Sequence, residues 1–291
     1  MKMYLETFRV ASASDEDGFV LNFPYQLEMG CYSHTNVYPF KIFPQKGLKE
    51  IVFAPITLFY GSNGSGKSTL LNVIAEKLRL ERSAPFNDTP YFESYLSFCT
   101  AETIPEIPKG SKLIASDDVF DLLIELRSIN EKIDRRRDAL FEEHRALRGE
   151  PFLLKTMDDY DEFKRRNVAK RKTKSAYVSE RLPKEFVGMS NGESAFAYFT
   201  NAIREDALYL LDEPENSLSP KLQIELAEFL ESSARFYGCQ FVISTHSPFL
   251  LSMRGASVYD LDANPISVKK WTELENIRTY YDFFHKHSDE F

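Results

Sequence analysis

The chain has 291 residues, 43% of them hydrophobic, which suits one large α/β domain or one domain with a sizeable insertion. Its net charge of −8 excludes a polycation built to coat nucleic acid, so any such contact has to come from a local patch. Cys31, Cys99 and Cys239 show no C-x-x-C spacing; this argues against a disulfide framework or zinc site and for buried thiols in a reducing compartment. Met1 to Glu6 lacks the apolar core of a signal peptide and nowhere do 18 uncharged apolar residues run together, so the expectation is a cytoplasmic protein without a membrane span.

Residues 1 to about 60 carry short β-type runs, Tyr4 to Val10 and Val37 to Phe43, separated by an acidic turn at Ser14 to Gly18. They predict a small antiparallel sheet. The apolar run Pro55 to Tyr60 predicts a strand, and Thr69 to Leu78 has helical spacing. Between them lie Gly61, Ser62, Asn63, Gly64, Ser65, Gly66, Lys67 and Ser68, followed by Thr69, matching G-x-x-x-x-G-K-[ST]. Strand, glycine loop and helix in this order form a phosphate-binding loop. Its backbone N–H groups turn inward on the phosphates, Lys67 reaches the β and γ phosphates, and Ser68 offers a hydroxyl to Mg²⁺. A Gly/Ser turn before an ordinary helix is the alternative.

From about Glu81 to Val187 the pattern is helical and strongly charged. The longest predicted helix, Asp118 to Arg148, is about 45 Å long if fully helical and reads as an inserted arm. Ser116, Asp117 and Asp118 at its start read as a helix cap or as groups that reach Mg²⁺ or water. The run Lys164 to Lys174 holds seven positive charges, either a phosphate-backbone contact or a solvated face paired with the acidic stretch Asp158 to Glu162. After Gly188, Tyr209 to Leu211 and Phe241 to Ile243 are apolar strands separated by a helix starting at Ser219 and Pro220, the pattern of a buried parallel sheet.

The first of these strands ends in Asp212 and Glu213, delivering two carboxylates to the sheet edge where α/β folds bind ligands. In a phosphate-loop enzyme Asp212 holds Mg²⁺ and Glu213 orients or deprotonates the attacking water; an acidic loop after a core strand is the alternative. Ser190, Asn191, Gly192 and Glu193 precede a helical run, and His246 follows the second strand. With these residues the chain resembles the ATP-binding-cassette (ABC) ATPases. Gly61 to Ser68 stands as Walker A, Ser190 to Glu193 as the signature motif, Asp212 and Glu213 as the end of Walker B, Glu215 to Ser219 as the D-loop and His246 as the switch histidine. The wording Asp212 to Pro220 and Ser244 to Leu250 is most similar to the soluble branch: RecF and SMC repair proteins, the ATPase half of OLD-family nucleases and "AAA family" defence ATPases.

The resemblance implies an α/β P-loop NTPase of ABC type, with a mixed, largely parallel sheet, an N-terminal antiparallel β subdomain and an inserted charged helical arm. The boundaries are 1–80 for the β subdomain and Walker A part, 81–187 for the arm and 188–291 for the rest of the core. It also implies ATP with Mg²⁺ bound by Ser68 and Asp212, catalysis by Glu213 and His246, and a head-to-tail homodimer in which Ser190, Asn191, Gly192 and Glu193 close on the partner's nucleotide. The function implied is ATP-driven switching of an unidentified protein partner in DNA maintenance or phage defence. A nucleotide-binding subunit of a membrane transporter and a non-cassette kinase or GTPase are the alternatives. The usual Q-loop glutamine is missing, since no Gln occurs between Ser68 and Met189. Tyr38, Phe40 or Phe43 is available to stack on adenine or to fill the sheet core.

Overall fold

A computed structural model describes residues 2–21, 37–104, 106–149, 160–182 and 190–291. It contains β1 (Leu5–Arg9), α1 (Ala13–Leu21), β2 (Glu50–Val52), β3 (Ile56–Tyr60), α2 (Lys67–Leu78), α3 (Phe92–Phe98), β4 (Thr100–Thr103), β5 (Lys112–Ala115), α4 (Ser116–Gly149), α5 (Tyr160–Arg171), α6 (Lys174–Ser179), α7 (Asn191–Ala202), β6 (Leu208–Asp212), α8 (Pro220–Phe236), β7 (Gln240–Ser244), α9 (Pro248–Leu251), β8 (Ser257–Asp260), β9 (Ser267–Lys269) and α10 (Glu275–Lys286). The chain forms two compact units, residues 1–119 with 191–291, and residues 120–190.

In the first unit a six-stranded sheet has the order β5-β6-β7-β3-β8-β9. Its first five strands are parallel and β9 closes the edge antiparallel. Strands β3, β6 and β7 are buried along almost their whole length, with apolar centres, because the sheet is covered on both faces. A three-stranded antiparallel sheet, β2-β1-β4, accompanies it. Helix α2 buries Leu70, Leu71, Val73 and Ile74 and packs against β6 and β7 of the larger sheet and β4 of the smaller. Phe8, Ile51, Phe59, Tyr95, Leu210 and Val242 join the same core. Gln240 links the sheets: its Oε1 accepts from the N–H groups of Tyr4 and Leu5 at 2.8 and 2.9 Å, and its Nε2 donates to Leu5 O at 2.8 Å. That buried amide is satisfied at both ends, which is how a polar side chain is tolerated in a sheet core.

Three local expectations are corrected. The acidic segment Ser14 to Gly18 lies in α1, because Asp15 accepts from Ser12 N at 3.0 Å and caps the helix it opens. Val37 to Phe43 forms turns: Lys41 adopts φ +63°, and Pro39 has no N–H for a ladder. Residues 81–119, read as part of the arm, contribute β4 and β5 to the sheets and belong to the first unit.

The second unit has its own small core, where Leu140, Ala169, Tyr177 and Val178 are buried with Phe141, Leu147, Val168 and Leu182 against them. The basic run is partly neutralised within it. Arg166 pairs with Glu162 at 2.8 Å, Lys172 pairs with Glu180, and Lys174 sits 4.3 Å above the Phe141 ring. No described helix is long and apolar enough to cross a membrane. Cys99 and Cys239 are buried, and burial pushes their thiols up to about 12 and about 11; Cys31 lies outside the described residues.

Glu16 on α1 is 3% exposed. Its Oε2 accepts from Lys41 N at 2.8 Å while its Oε1 is buried without a partner among the described residues. Burial raises this carboxyl from 4.5 to about 7. Between those values the folded chain holds a proton that the unfolded chain has released, so the Glu16 contribution to stability is complete below 4.5 and is lost as pH rises to 7. The loss is roughly 3 kcal/mol. Glu16→Gln is therefore expected to flatten urea-unfolding stability between pH 5 and 8 relative to the wild type; an unchanged pH slope would contradict the assignment.

Candidate functional site

Register sets the site. Strands β6, β7 and β3 are neighbours, with Asp212 opposite Ser244 and Ser244 opposite Phe59. Their carboxyl ends therefore deliver Asp212 and Glu213, His246, and the loop Gly61 to Ser68 side by side.

The loop is shaped by its packing. Gly66 stands at the N-cap of α2 with φ +103°, and a Cβ there would lie 3.2 Å from Ile42 Cγ2 and 3.3 Å from Phe43 Cε1; only glycine suits both demands. The N–H groups of the first turn of α2 then open at the loop, the arrangement that receives phosphate. Two contacts from outside the motif hold the loop. Lys46 Nζ donates to Ser65 O at 2.9 Å and to Leu261 O at 3.0 Å. Asp262 accepts from Ser62 N at 2.6 Å and from Ser62 Oγ at 2.8 Å. Neither residue was found by sequence reasoning, since nothing local to Lys46 or Asp262 points to a partner so far along the chain.

Lys67 is 5% exposed, and its Nζ donates to Gly61 O at 2.8 Å and Ser62 O at 3.3 Å. It also lies 2.7 Å from His246 Nε2 and 3.7 Å from Glu213 Oε1. His246 Nε2 is 3.4 Å from the same carboxylate oxygen. One ring nitrogen either accepts from Lys67 or donates to Glu213, and Lys67 lies close to the carboxylate in both cases. Hydrogen bonding by His246 is the largest influence on Glu213; with Asn216 and the Lys67 charge it holds the carboxyl at about 2, against the opposing effect of burial. Glu213 is thus ionised across the physiological range. It adopts φ +48°, an uncommon conformation for a non-glycine residue and of the kind that clusters at functional sites.

Asp212 Oδ1 accepts from Ser68 Oγ at 3.2 Å and from Ser244 Oγ. Burial raises its pKa, and the two hydroxyl bonds pull the other way. Ser68 and Asp212 form an all-oxygen pair that suits Mg²⁺, a hard cation that takes one or two protein oxygens and fills its sphere with water and phosphate. Among the described residues no cluster of three or more His, Cys, Asp or Glu has metal-binding geometry, so a dedicated protein cage for another metal is not formed there.

The signature residues divide between the units: Ser190 ends the second, while Asn191, Gly192 and Glu193 open α7 in the first. A Cβ on Gly192 would lie 3.0 Å from Ser217 O, so α7 and the turn after β6 are in close contact only because this residue is glycine. Of the adenine candidates, Phe40 and Phe43 are core residues at 3% and 0% exposure, Phe40 stacking on Phe19 with centroids 4.6 Å apart. Tyr38 is half-buried beside the first turn of α2, where its OH donates to Thr69 Oγ1 at 3.2 Å. Asn63 is exposed and Thr69 partly buried. Asp118 accepts from Ala115 N at 2.8 Å, the returning bond of a capping arrangement at the start of α4.

Residues 118–252 match the family model described as "AAA domain, putative AbiEii toxin, Type IV TA system". This stretch holds Ser190 to Glu193, Asp212, Glu213 and His246, and β3 leads into Gly61 to Ser68 beside them. Over this stretch the chain is similar to that AAA-domain family. Among solved structures, it is similar to the SMC head domain from Thermotoga maritima, at 14% identity over 92% of this chain and 99% of that one with a TM-score of 0.41. An SMC head domain bound to the C-terminal domain of ScpA from Pyrococcus furiosus gives 12% identity, 96% and 99% coverage and a TM-score of 0.42. A putative metal-chelate type ABC transporter gives 18% identity, 78% and 77% coverage and a TM-score of 0.38. Comparison with curated proteins gives no match.

Proposed function

We propose that this ATPase hydrolyses ATP at the interface of a head-to-tail homodimer and uses the cycle to switch a protein partner in DNA maintenance or phage defence. The observation that carries the reading is the convergence of Lys67, His246 and Glu213 within 4 Å of one another at the end of β6, beside the Ser68 and Asp212 pair. In this reading Gly61 to Ser68 and the first turn of α2 cradle the phosphates, and Lys67 turns from the loop carbonyls to the β and γ oxygens. Ser68 and Asp212 would hold Mg²⁺, which would supply neutralisation of the charge on the phosphates. Glu213, a carboxylate throughout the working range, orients the attacking water and accepts its hydrogen bond, while His246 helps to position that water.

Ser190, Asn191, Gly192 and Glu193 complete the partner's nucleotide site in the proposal. Hydrolysis should then depend on association. ATP turnover per protomer, measured by phosphate release with Mg²⁺, is expected to rise with protein concentration before reaching a plateau; a rate per protomer that stays constant over the full concentration range would contradict a shared site. The family description names a putative AbiEii toxin of a type IV toxin–antitoxin system, which supports the defence setting.

Nucleic acid is the second partner considered, through the basic run of the second unit. Arg165, Lys170 and Arg171 are among its exposed cations. Salt-sensitive retention of DNA or RNA by the protein with ATP is expected to disappear when these three are changed to Glu, with basal ATP turnover intact. Retention that survives the triple change would remove the run from this role.

A further inference from the structure

The turn after β6 holds a buried carboxylate for which the proposed chemistry has no use. Glu215 Oε1 accepts three hydrogen bonds: from His246 N at 2.6 Å, from Thr245 Oγ1 at 2.8 Å and from Ser247 N at 3.2 Å. Its Oε2 is buried without a partner among the described residues. Three donors on one oxygen are a strong local constraint: the N–H of Ser247 is shared with Thr245 Oγ1 at 3.0 Å, while Glu215 takes the N–H of His246 and the hydroxyl of Thr245. All three belong to the segment that carries His246, about 30 residues away in sequence. The contact therefore fixes the backbone of His246, and with it the ring whose Nε2 lies between Lys67 and Glu213.

The same turn is tied on its other side. Asn216 Nδ2 donates to Glu213 Oε2 at 3.2 Å, and Leu218 N donates to Glu215 O at 3.0 Å. Ser217, with φ +70°, presents the carbonyl against which Gly192 packs. One short turn thus touches the signature helix, the carboxylate Glu213 and the backbone of His246. We propose that Glu215 is a positioning residue: it transmits the position of the turn after β6 to His246, so that His246 is held against Glu213 only while that turn is in place. The inference rests on the catalytic reading of His246 given above.

The test compares the full-length protein with Glu215→Leu, Glu215→Gln, Glu215→Asp, His246→Ala and the double variant Glu215→Leu with His246→Ala. For each, kcat and KM for ATP are measured in saturating Mg²⁺, and a thermal melt checks folding. Leucine fills the space but accepts nothing, and a misplaced group of this kind costs about 10- to 100-fold in kcat, with little change in KM. Glutamine retains an oxygen for the three donors and should restore most of the loss. The double variant should be no slower than His246→Ala alone, because the two changes remove the same function. If the leucine variant does not fold, the aspartate variant, whose shorter arm cannot keep all three bonds, should show a smaller loss of the same kind. A double variant slowed by the product of the two single effects would overturn the proposal and leave the role of His246 standing, as would a leucine variant that changes KM alone or that glutamine does not rescue. Unchanged kcat in His246→Ala would overturn the reading of His246 and the proposal with it.

Discussion

Lys67→Ala is expected to abolish ATP binding. Lys67 brings the positive charge of the loop into contact with Glu213, and its Nζ is held by two loop carbonyls in a nearly buried position. Truncation leaves Asp212 and Glu213 facing a triphosphate of the same sign without that cation. Charge-assisted contacts of this kind contribute about 1.5 to 3 kcal/mol each, and with the added repulsion the affinity should fall by at least about 100-fold. A calorimetric titration with ATP and Mg²⁺ reads the effect, and tight binding by a folded Lys67→Ala protein would contradict the site assignment.

Glu213→Gln should have the opposite signature: ATP binds and stays. The amide keeps the size of the side chain and can still meet Asn216, but it removes the carboxylate that Lys67 and His246 hold ionised. Loss of a positioned base or water-orienting group costs about 10² to 10⁴ in rate. With hydrolysis slowed and binding retained, the dimer should accumulate with ATP and Mg²⁺ in light scattering coupled to size exclusion. A purely monomeric peak under those conditions would contradict the proposed dimer, and wild-type turnover would contradict the role of Glu213.

The parts of the site that were legible in the sequence are those in which chemistry and local structure share one short stretch. The runs Pro55 to Tyr60, Tyr209 to Leu211 and Phe241 to Ile243 are apolar because β3, β6 and β7 lie inside the sheet, and each ends in the residues that converge. Helix α8 begins at Pro220 under a Ser219 cap as its sequence predicts. What escaped depends on distance along the chain. Strands β4, Thr100–Thr103, and β5, Lys112–Ala115, have four residues each, too few to show a period against the charged background of the presumed arm. Asp262 meets the phosphate loop 200 residues from Ser62. Glu215 stands in a motif that was read as the D-loop, yet its partners, Thr245 to Ser247, lie about 30 residues further on, and no spacing rule connects them.

The central claim is that each nucleotide site is built from two protomers, with Lys67 from one and Ser190 from the other. Mixing two inactive variants tests it most directly. Lys67→Ala spoils the phosphate loop but leaves the signature intact, and Ser190→Arg does the reverse by placing a bulky cation on the facing surface. A heterodimer of the two contains one complete site, so the mixture is expected to hydrolyse ATP well above the sum of the separate proteins. A mixture no more active than that sum, with both variants folded, would contradict the shared site.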